Sequence, residues 1–148
     1  MRYFAVGVFT VALASQAFAQ AIPMRPDNVI LARQARMSLQ YAFAGASKRT
    51  IDAKGDVKPL KDGAECIAKF AAVIPSLFPP GTEQGRNTKA LPAIWSDRAG
   101  FEQAAATLQG AAQKFSAAAA SGDQAATADA FKALGQACSD CHKTYRAR

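Results

Sequence analysis

The sequence contains only one histidine, three cysteines and one tryptophan among its 148 residues. The lone histidine, His142, excludes a metal site that draws two imidazoles from the same chain. It also leaves no second imidazole for acid–base catalysis, a role that most often falls to histidine. After the N-terminal segment, no apolar run approaches the roughly 20 residues that a membrane-spanning helix needs. We therefore predict no membrane span in the remainder of the chain.

The chain also lacks a stripe of basic residues interleaved with aromatic side chains. Its formal net charge is +7 at pH 7, but the cationic residues are scattered, with a modest group at Lys143, Arg146 and Arg148. Proteins that bind nucleic acid concentrate such charge on one face, so the sequence does not predict nucleic acid as a partner. Scattered basic charge is typical of a solvated surface, or of one that attracts an acidic protein partner.

The first 19 residues have the pattern of a secretory signal peptide. A short positive start precedes the apolar stretch 4–14, and residues 17–19 supply the small-x-small pattern at which such peptides are cleaved. A membrane anchor is the alternative, but the apolar stretch is too short for one. We predict that residues 1–19 are removed and that residues 20–148 form one exported domain.

The motif Cys138-Ser139-Asp140-Cys141-His142 lies near the C-terminus. Cys-x-x-Cys-His is the attachment pattern of c-type haem. Two thiols one helical turn apart can each add to one vinyl group on the same edge of a porphyrin. The adjacent imidazole then provides the proximal axial ligand of the iron. We predict one covalent haem c on Cys138 and Cys141, with His142 as a metal ligand, in a protein exported to a bacterial periplasm.

Two other interpretations of the cysteines are weaker. Cys66, Cys138, Cys141 and His142 would total four zinc ligands, but adjacent cysteine and histidine are poorly spaced for zinc. A thioredoxin-like Cys-x-x-Cys is expected near a βαβ pattern rather than at the tail of a helical chain. Cys66 remains as an odd cysteine. We predict a buried apolar thiol on a helix, because free cysteine is among the most buried residue types; a reactive or intermolecularly paired thiol is the alternative.

The rest of the chain shows helical rather than alternating periodicity. A first helix is predicted from near Pro26, a residue suited to the first turn, to about Ser47. A second is predicted from about Lys61 to Ser76, where prolines end it. The stretch 79–95 contains glycine and proline at intervals and is predicted to be irregular.

The third predicted helix begins at Ser96, a good N-cap. It carries Phe101, Leu108 and Phe115 at seven-residue intervals, which is the spacing of a bundle seam. After a turn, the fourth helix begins near Asp123 and carries the haem motif. Four helices with short links predict an all-α protein, an antiparallel four-helix bundle, and the cores of such bundles commonly hold cofactors.

The residue on the other face of the iron is sought among thioethers, because the only histidine is already used. Met1 leaves with the signal peptide, and Met24 lies between two prolines in a segment expected to fray. Met37, inside the first helix, is the remaining candidate ligand, and ordinary core filling is its alternative role. Arg33 lies four residues earlier on the same helical face, where it could pair with a haem propionate or remain a solvated charge.

With these residues in view, the chain resembles the class II c-type cytochromes, the cytochrome c′ family, over essentially its whole exported part. A haem motif at the C-terminal end is specific to that class. The resemblance rests on four further segments, Ala32-Arg33-Gln34, Pro80-Gly81-Thr82-Glu83, Ile94-Trp95-Ser96-Asp97 and Lys143-Thr144-Tyr145-Arg146.

The resemblance implies that five further residues belong to the haem environment: Arg33, Gln34, Thr82, Glu83 and Arg146. It also implies a homodimer through the first two helices. In gas-binding members the residue four after the arginine is usually leucine, whereas here it is Met37, as in the low-spin branch of the family. The resemblance thus favours Met37 as a ligand. It implies a non-enzymatic one-electron carrier with redox protein partners; the alternative is a five-coordinate protein that binds nitric oxide or carbon monoxide.

Overall fold

A computed structural model describes residues 24–148, so the predicted signal peptide lies outside the described residues. The elements, in chain order, are α1 (Pro26–Asp52), α2 (Leu60–Val73), a 3-10 turn (Pro75–Leu77), α3 (Ala93–Ser96), α4 (Arg98–Ser121) and α5 (Gln124–Tyr145). No strand occurs within residues 24–148, where the one β-type pairing is an isolated bridge between Ala90 and Arg146. The four long helices form a bundle, so the predicted fold class is confirmed.

The first helix is longer than its prediction, because α1 continues to Asp52. Residues 48–52 contain neither proline nor glycine, and an exposed ion pair between Lys48 and Asp52 lies one turn apart along the helix. The chain leaves the helical path only at Lys54, whose φ is +52°. A left-handed residue is a common way to end a helix, and the prediction had placed the end too early.

The start of the third long helix also differs from the prediction. Asp97, not Ser96, is its N-cap, and the Asp97 carboxylate accepts a hydrogen bond from the amide of Gly100 at 3.2 Å. Ser96 belongs instead to α3, a single helical turn. The predicted turn before α5 is confirmed: Gly122 has a φ of +79°, and the Asp123 side chain accepts from the amide of Ala126 at 3.0 Å.

The hydrophobic core lies between α2, α4 and α5. Phe70, Phe101, Phe115 and Leu134 are each at most 2% exposed, and burying a side chain of that size stabilises the fold by about 1.5–3 kcal/mol. The seven-residue repeat in α4 therefore does form the predicted seam. By contrast, Ile30 is the only apolar residue of α1 that is fully buried, so α1 covers the bundle without contributing much to its core.

Backbone pairing attaches the end of α5 to the long loop. The amide of Leu91 donates to the carbonyl of Tyr145 at 3.0 Å, and the amide of Ala147 donates to the carbonyl of Lys89 at 2.8 Å. This pairing fixes the helix end that carries the haem motif. None of the helices within residues 24–148 has the length and apolar character needed to cross a membrane.

Candidate functional site

A largely apolar cavity of about 930 Å³ lies between α1 and the rest of the bundle. Side chains from α1, α2, α4 and α5 line it, and all three chemistry-bearing residues of the motif, Cys138, Cys141 and His142, are on its wall. Cavities that bury a sizeable organic ligand commonly measure 300–1,000 Å³. The cavity therefore has the size and apolar surface that a porphyrin requires.

The two motif cysteines lie three residues apart on α5, so both thiols are on the same side of the helix. Both are half-buried in the cavity wall. Burial raises the pKa of the Cys138 thiol. Burial also raises the pKa of the Cys141 thiol, and the neighbouring Cys138 raises that pKa further. Before a haem is attached, burial thus favours the neutral form of both thiols.

His142 follows in the last turn of α5. Partial burial lowers the pKa of its imidazole, and the nearby positive charge of Arg146 lowers it further. The neutral form, which is the one that binds a metal, is thereby favoured. Arg146 also lines the cavity, as predicted for a residue beside the haem.

Met37 lies on α1 and lines the same cavity as His142. Its side chain is half-buried and packs against the edge of the hydrophobic core. The structure therefore brings the predicted sulfur ligand and the predicted imidazole ligand to one space from two different helices. Whether Met37 binds iron there or only fills the cavity stays a prediction.

Arg33 is 3% exposed, so it is not the solvated charge that was one of its two predicted roles. It donates four hydrogen bonds from its two terminal nitrogens, to Leu77 O, to Oγ1 and O of Thr82, and to Oγ1 of Thr88. Burial lowers the pKa of the guanidinium, and the charge of Glu83 partly opposes that effect. Arg33 also lines the cavity. Its other predicted role, a contact with a haem propionate, stays a prediction.

Thr82 and Glu83 do not line the cavity, although both were predicted in the haem environment. Thr82 is 1% exposed, and its hydroxyl donates to the carbonyl of Pro79 at 2.8 Å while it accepts from Arg33. The Glu83 carboxylate is exposed and accepts from the amide of Gly81 at 3.1 Å. Their hydrogen bonds shape the loop, and any effect on the cavity passes through Arg33.

Gln34, the remaining residue predicted beside the haem, does line the cavity. Its side-chain amide donates to the carbonyl of Arg86 at 3.1 Å, which ties α1 to the loop a second time.

The prediction for Cys66 is wrong, because this cysteine is exposed on α2. The helical face that α2 buries runs through Ala64, Ile67, Ala68 and Ala71, and Cys66 lies outside it. Free cysteine is usually buried, but residue 66 lies on a side of α2 that does not face the core.

Sequence reasoning missed two residues that support the site. The ring of Phe78 lies 4.2 Å from the Arg33 guanidinium carbon, and Thr88 accepts one of the Arg33 hydrogen bonds at 3.1 Å. Both line the cavity. They lie in or beside the irregular loop, where no periodicity indicates which side chains point inward.

The residues present fit a covalently held haem. The two thiols and the imidazole of the motif reach one apolar cavity, and the charged or polar groups Arg33, Gln34 and Arg146 lie on its wall. An apolar wall suits the porphyrin faces, and cationic or amide groups suit its carboxylates. Attachment would use Cys138 and Cys141, with His142 as the axial ligand on one side.

Comparison with known proteins identifies the family of the chain. The family model for cytochrome c′ matches residues 28–146. Cytochrome c′ of Rubrivivax gelatinosus is 32% identical over 124 residues, which cover 82% of this chain and 96% of that protein.

Two solved structures share the fold. One is a cytochrome c′ with an unusual ligand-controlled dimer dissociation, which has a TM-score of 0.80 at 27% identity and covers 85% of this chain and 99% of that one. The other is a variant of cytochrome c prime from Alcaligenes xylosoxidans in complex with nitric oxide, with a TM-score of 0.76 at 31% identity over 85% of this chain and 98% of that one. The chain belongs to the cytochrome c′ family and is a c-type cytochrome with one covalently attached haem.

Proposed function

We propose that this chain is an electron carrier in which His142 and Met37 are the two axial ligands of the haem. The observation that carries the proposal is that these two side chains, from α5 and α1, line one cavity. When bound, the haem supplies a one-electron redox couple, and a thioether ligand raises its potential. A ligand pair that is kept in both oxidation states would leave little to rearrange at each transfer, which favours rapid electron transfer.

Each group on the cavity wall has a defined task in this proposal. Cys138 and Cys141 hold the porphyrin covalently, and the apolar residues around them exclude water. Gln34 and Arg146 lie where they can hydrogen-bond carboxylates at the cavity rim. The sequence offers no second histidine for acid–base chemistry, so we propose no enzymatic activity.

Gas binding is the second candidate. The relatives found by comparison support gas binding better than they support ligation by methionine. The relative from Alcaligenes xylosoxidans has been solved with nitric oxide and, in another variant, with carbon monoxide. For this chain, either gas could bind only if Met37 leaves the sixth coordination position of the iron, the one opposite His142, or never occupies it. The side chain of residue 37 therefore separates the two candidates.

The test compares the haem-loaded protein with its Met37→Leu variant. Ligation by Met37 predicts a low-spin ferric spectrum with a long-wavelength sulfur-to-iron band, which the variant loses as it becomes high-spin and binds carbon monoxide more tightly. Met24→Leu is the matched control, since Met24 is 62% exposed and does not line the cavity. A parent protein that is already high-spin, with carbon monoxide affinity unchanged by Met37→Leu, would instead establish the gas-binding candidate.

We also propose that the protein acts in the periplasm, after removal of residues 1–19, as the single domain 20–148. The support is the pattern of the N-terminal segment and the need to attach haem c outside the cytoplasm. Mass spectrometry of the exported protein should give the mass of residues 20–148 plus one haem. An uncleaved N-terminus would contradict this part of the proposal.

We propose that the protein exchanges electrons with acidic redox proteins. We further propose that it forms a homodimer through α1 and α2. Leu31 and Leu39 on α1, and Val73 on α2, are 47–63% exposed, and a relative forms a dimer whose dissociation is ligand-controlled. Sedimentation should give a dimer that Leu39→Lys converts to monomer, whereas Ala120→Lys on α4 leaves it intact. A monomer at all concentrations would exclude the dimer.

A further inference from the structure

The contacts of α1 with the rest of the chain determine how this helix lies over the cavity. Of its 27 residues, only Ile30, Arg33 and Ser47 are buried, and one of these is the charged Arg33. Met37, Phe43 and Ile51 are partly buried against the core, and other residues of α1 line the cavity. Of the three buried residues, Arg33 is the nearest to Met37 along the helix, so its contacts bear most directly on where Met37 lies.

Arg33 lies one helical turn before Met37 and makes four hydrogen bonds to other segments of the chain. Its Nη1 donates to Leu77 O at 3.2 Å and to Thr82 Oγ1 at 2.9 Å. Its Nη2 donates to Thr82 O at 2.7 Å and to Thr88 Oγ1 at 3.1 Å. We call these four hydrogen bonds the Arg33 clamp. Hydrogen bonds from a charged donor are roughly twice as strong as neutral ones.

The segment that the clamp grips is itself tied to the bundle. The carbonyl of Pro79 accepts from the Thr82 hydroxyl at 2.8 Å and from the Trp95 indole at 3.4 Å. Arg98 at the start of α4 donates to Pro75 O at 2.7 Å and to Phe78 O at 3.3 Å. The clamp therefore joins α1 to a segment that α4 already holds in place.

We propose that Arg33 is a positioning residue that keeps Met37 over the cavity, and that weakening its clamp releases the methionine from the sixth position. Residues four apart lie on the same face of a helix, so holding Arg33 fixes the turn from which the Met37 side chain extends. This inference rests on the proposed function, namely that Met37 is the sixth ligand. It differs from a propionate-pairing role, in which Arg33 would contact the haem instead of holding the loop.

Two variants weaken the clamp without removing the fold's apolar contacts. Arg33→Lys keeps the positive charge but replaces the planar fork by a single ammonium, which cannot reach four acceptors in this geometry. Thr82→Val removes a hydroxyl that does not line the cavity. Arg49→Lys is the matched control, because Arg49 is exposed on the same helix and lies outside the cavity wall.

The experiment measures carbon monoxide affinity and the sulfur-to-iron band of the haem-loaded variants. If each clamp variant raises the fraction of open sixth sites about tenfold, the apparent affinity for carbon monoxide rises by the same factor. The band should also weaken at a lower temperature than in the parent protein. Amide hydrogen exchange in residues 33–44 should accelerate in both clamp variants, and Arg49→Lys should match the parent protein in all three measurements.

Repeating the clamp variants with Met37→Leu separates positioning from other effects. If Arg33 acts through Met37, neither clamp variant changes carbon monoxide affinity once Met37 is leucine, so the double-mutant cycle shows coupling. An equal gain in affinity with and without Met37 would overturn the positioning role, and so would clamp variants that bind carbon monoxide like the parent protein. A parent protein without the sulfur band would show instead that the proposed ligation had failed, and the inference with it.

Discussion

The ring of Phe43 on α1 covers Gly63 on α2 so closely that a β-carbon on residue 63 would overlap the ring. The absence of a side chain at this position lets the two helices approach each other. Together with the Arg33 clamp, this contact determines how α1 lies on the bundle. The two contacts are about three helical turns apart along α1, so they restrain the helix at two separate points.

Gly63→Ala should therefore destabilise the haem-loaded protein, by about 1–3 kcal/mol, as is typical of overpacking. Gly110→Ala is the matched control, because nothing lies within 4 Å of its added carbon. That change should instead stabilise α4, by about 0.5–1 kcal/mol. Denaturant unfolding followed by circular dichroism measures both, and equal effects from the two substitutions would contradict the packing argument.

The Tyr145 hydroxyl predicts a loss of stability in strongly alkaline solution. It donates to Oδ2 of Asp97 at 2.7 Å, and this hydrogen bond raises its pKa to about 12, above the ordinary value of about 10. The folded state thus holds the proton more tightly than the unfolded state. The resulting stabilisation is complete below about pH 10 and is lost as the pH rises to about 12.

Tyr145→Phe should accordingly lower the melting temperature at pH 8, and the difference from the parent protein should shrink above about pH 10. Tyr41→Phe is the control, since Tyr41 is 84% exposed, and it should keep the parent profile. A difference that stays constant from pH 8 to pH 12 would show that the hydrogen bond to Asp97 is not its source.

Covalent attachment depends on the two motif cysteines together. A variant with Cys138→Ser and Cys141→Ser should have the mass of the polypeptide alone after denaturation, because no thioether can form. Cys66→Ser should keep the added mass of the haem, since Cys66 does not line the cavity. Haem that stays bound to the doubly substituted chain through denaturation would contradict the assignment of the attachment site.

The exposure of Cys66 predicts a chemically accessible thiol. A dilute solution of the folded, haem-loaded protein should take up one equivalent of maleimide, and Cys66→Ser should take up none. The motif cysteines should not react, because thioether bonds to the haem would occupy their sulfur atoms. Labelling that begins only in denaturant would mean that Cys66 is covered in solution.

The periodicity of the sequence predicted the helices best where each helix buries one apolar face. In α4, Phe101, Leu108 and Phe115 repeat every seven residues, and all three are buried. In α1 the apolar residues do not form one clear face, and its end was placed too early. Asp97 was missed as the N-cap of α4 because Ser96 beside it is also a good capping residue.

The sequence by itself determined the covalent chemistry of the site. Two thiols and an imidazole within one pentapeptide belong to one short stretch of helix, so their mutual placement needs no information about distant parts of the chain. The same locality made the turn at Gly122 and Asp123 predictable.

Only the tertiary structure decided the surroundings of that motif. The partners of Arg33 lie 44 to 55 residues away in an irregular loop, where no periodic pattern relates sequence position to direction. Thr82 and Glu83 shape this loop instead of lining the cavity, and Cys66 faces solvent. Contacts between distant segments depend on how helices pack and loops close, and a local pattern of residues does not carry that information.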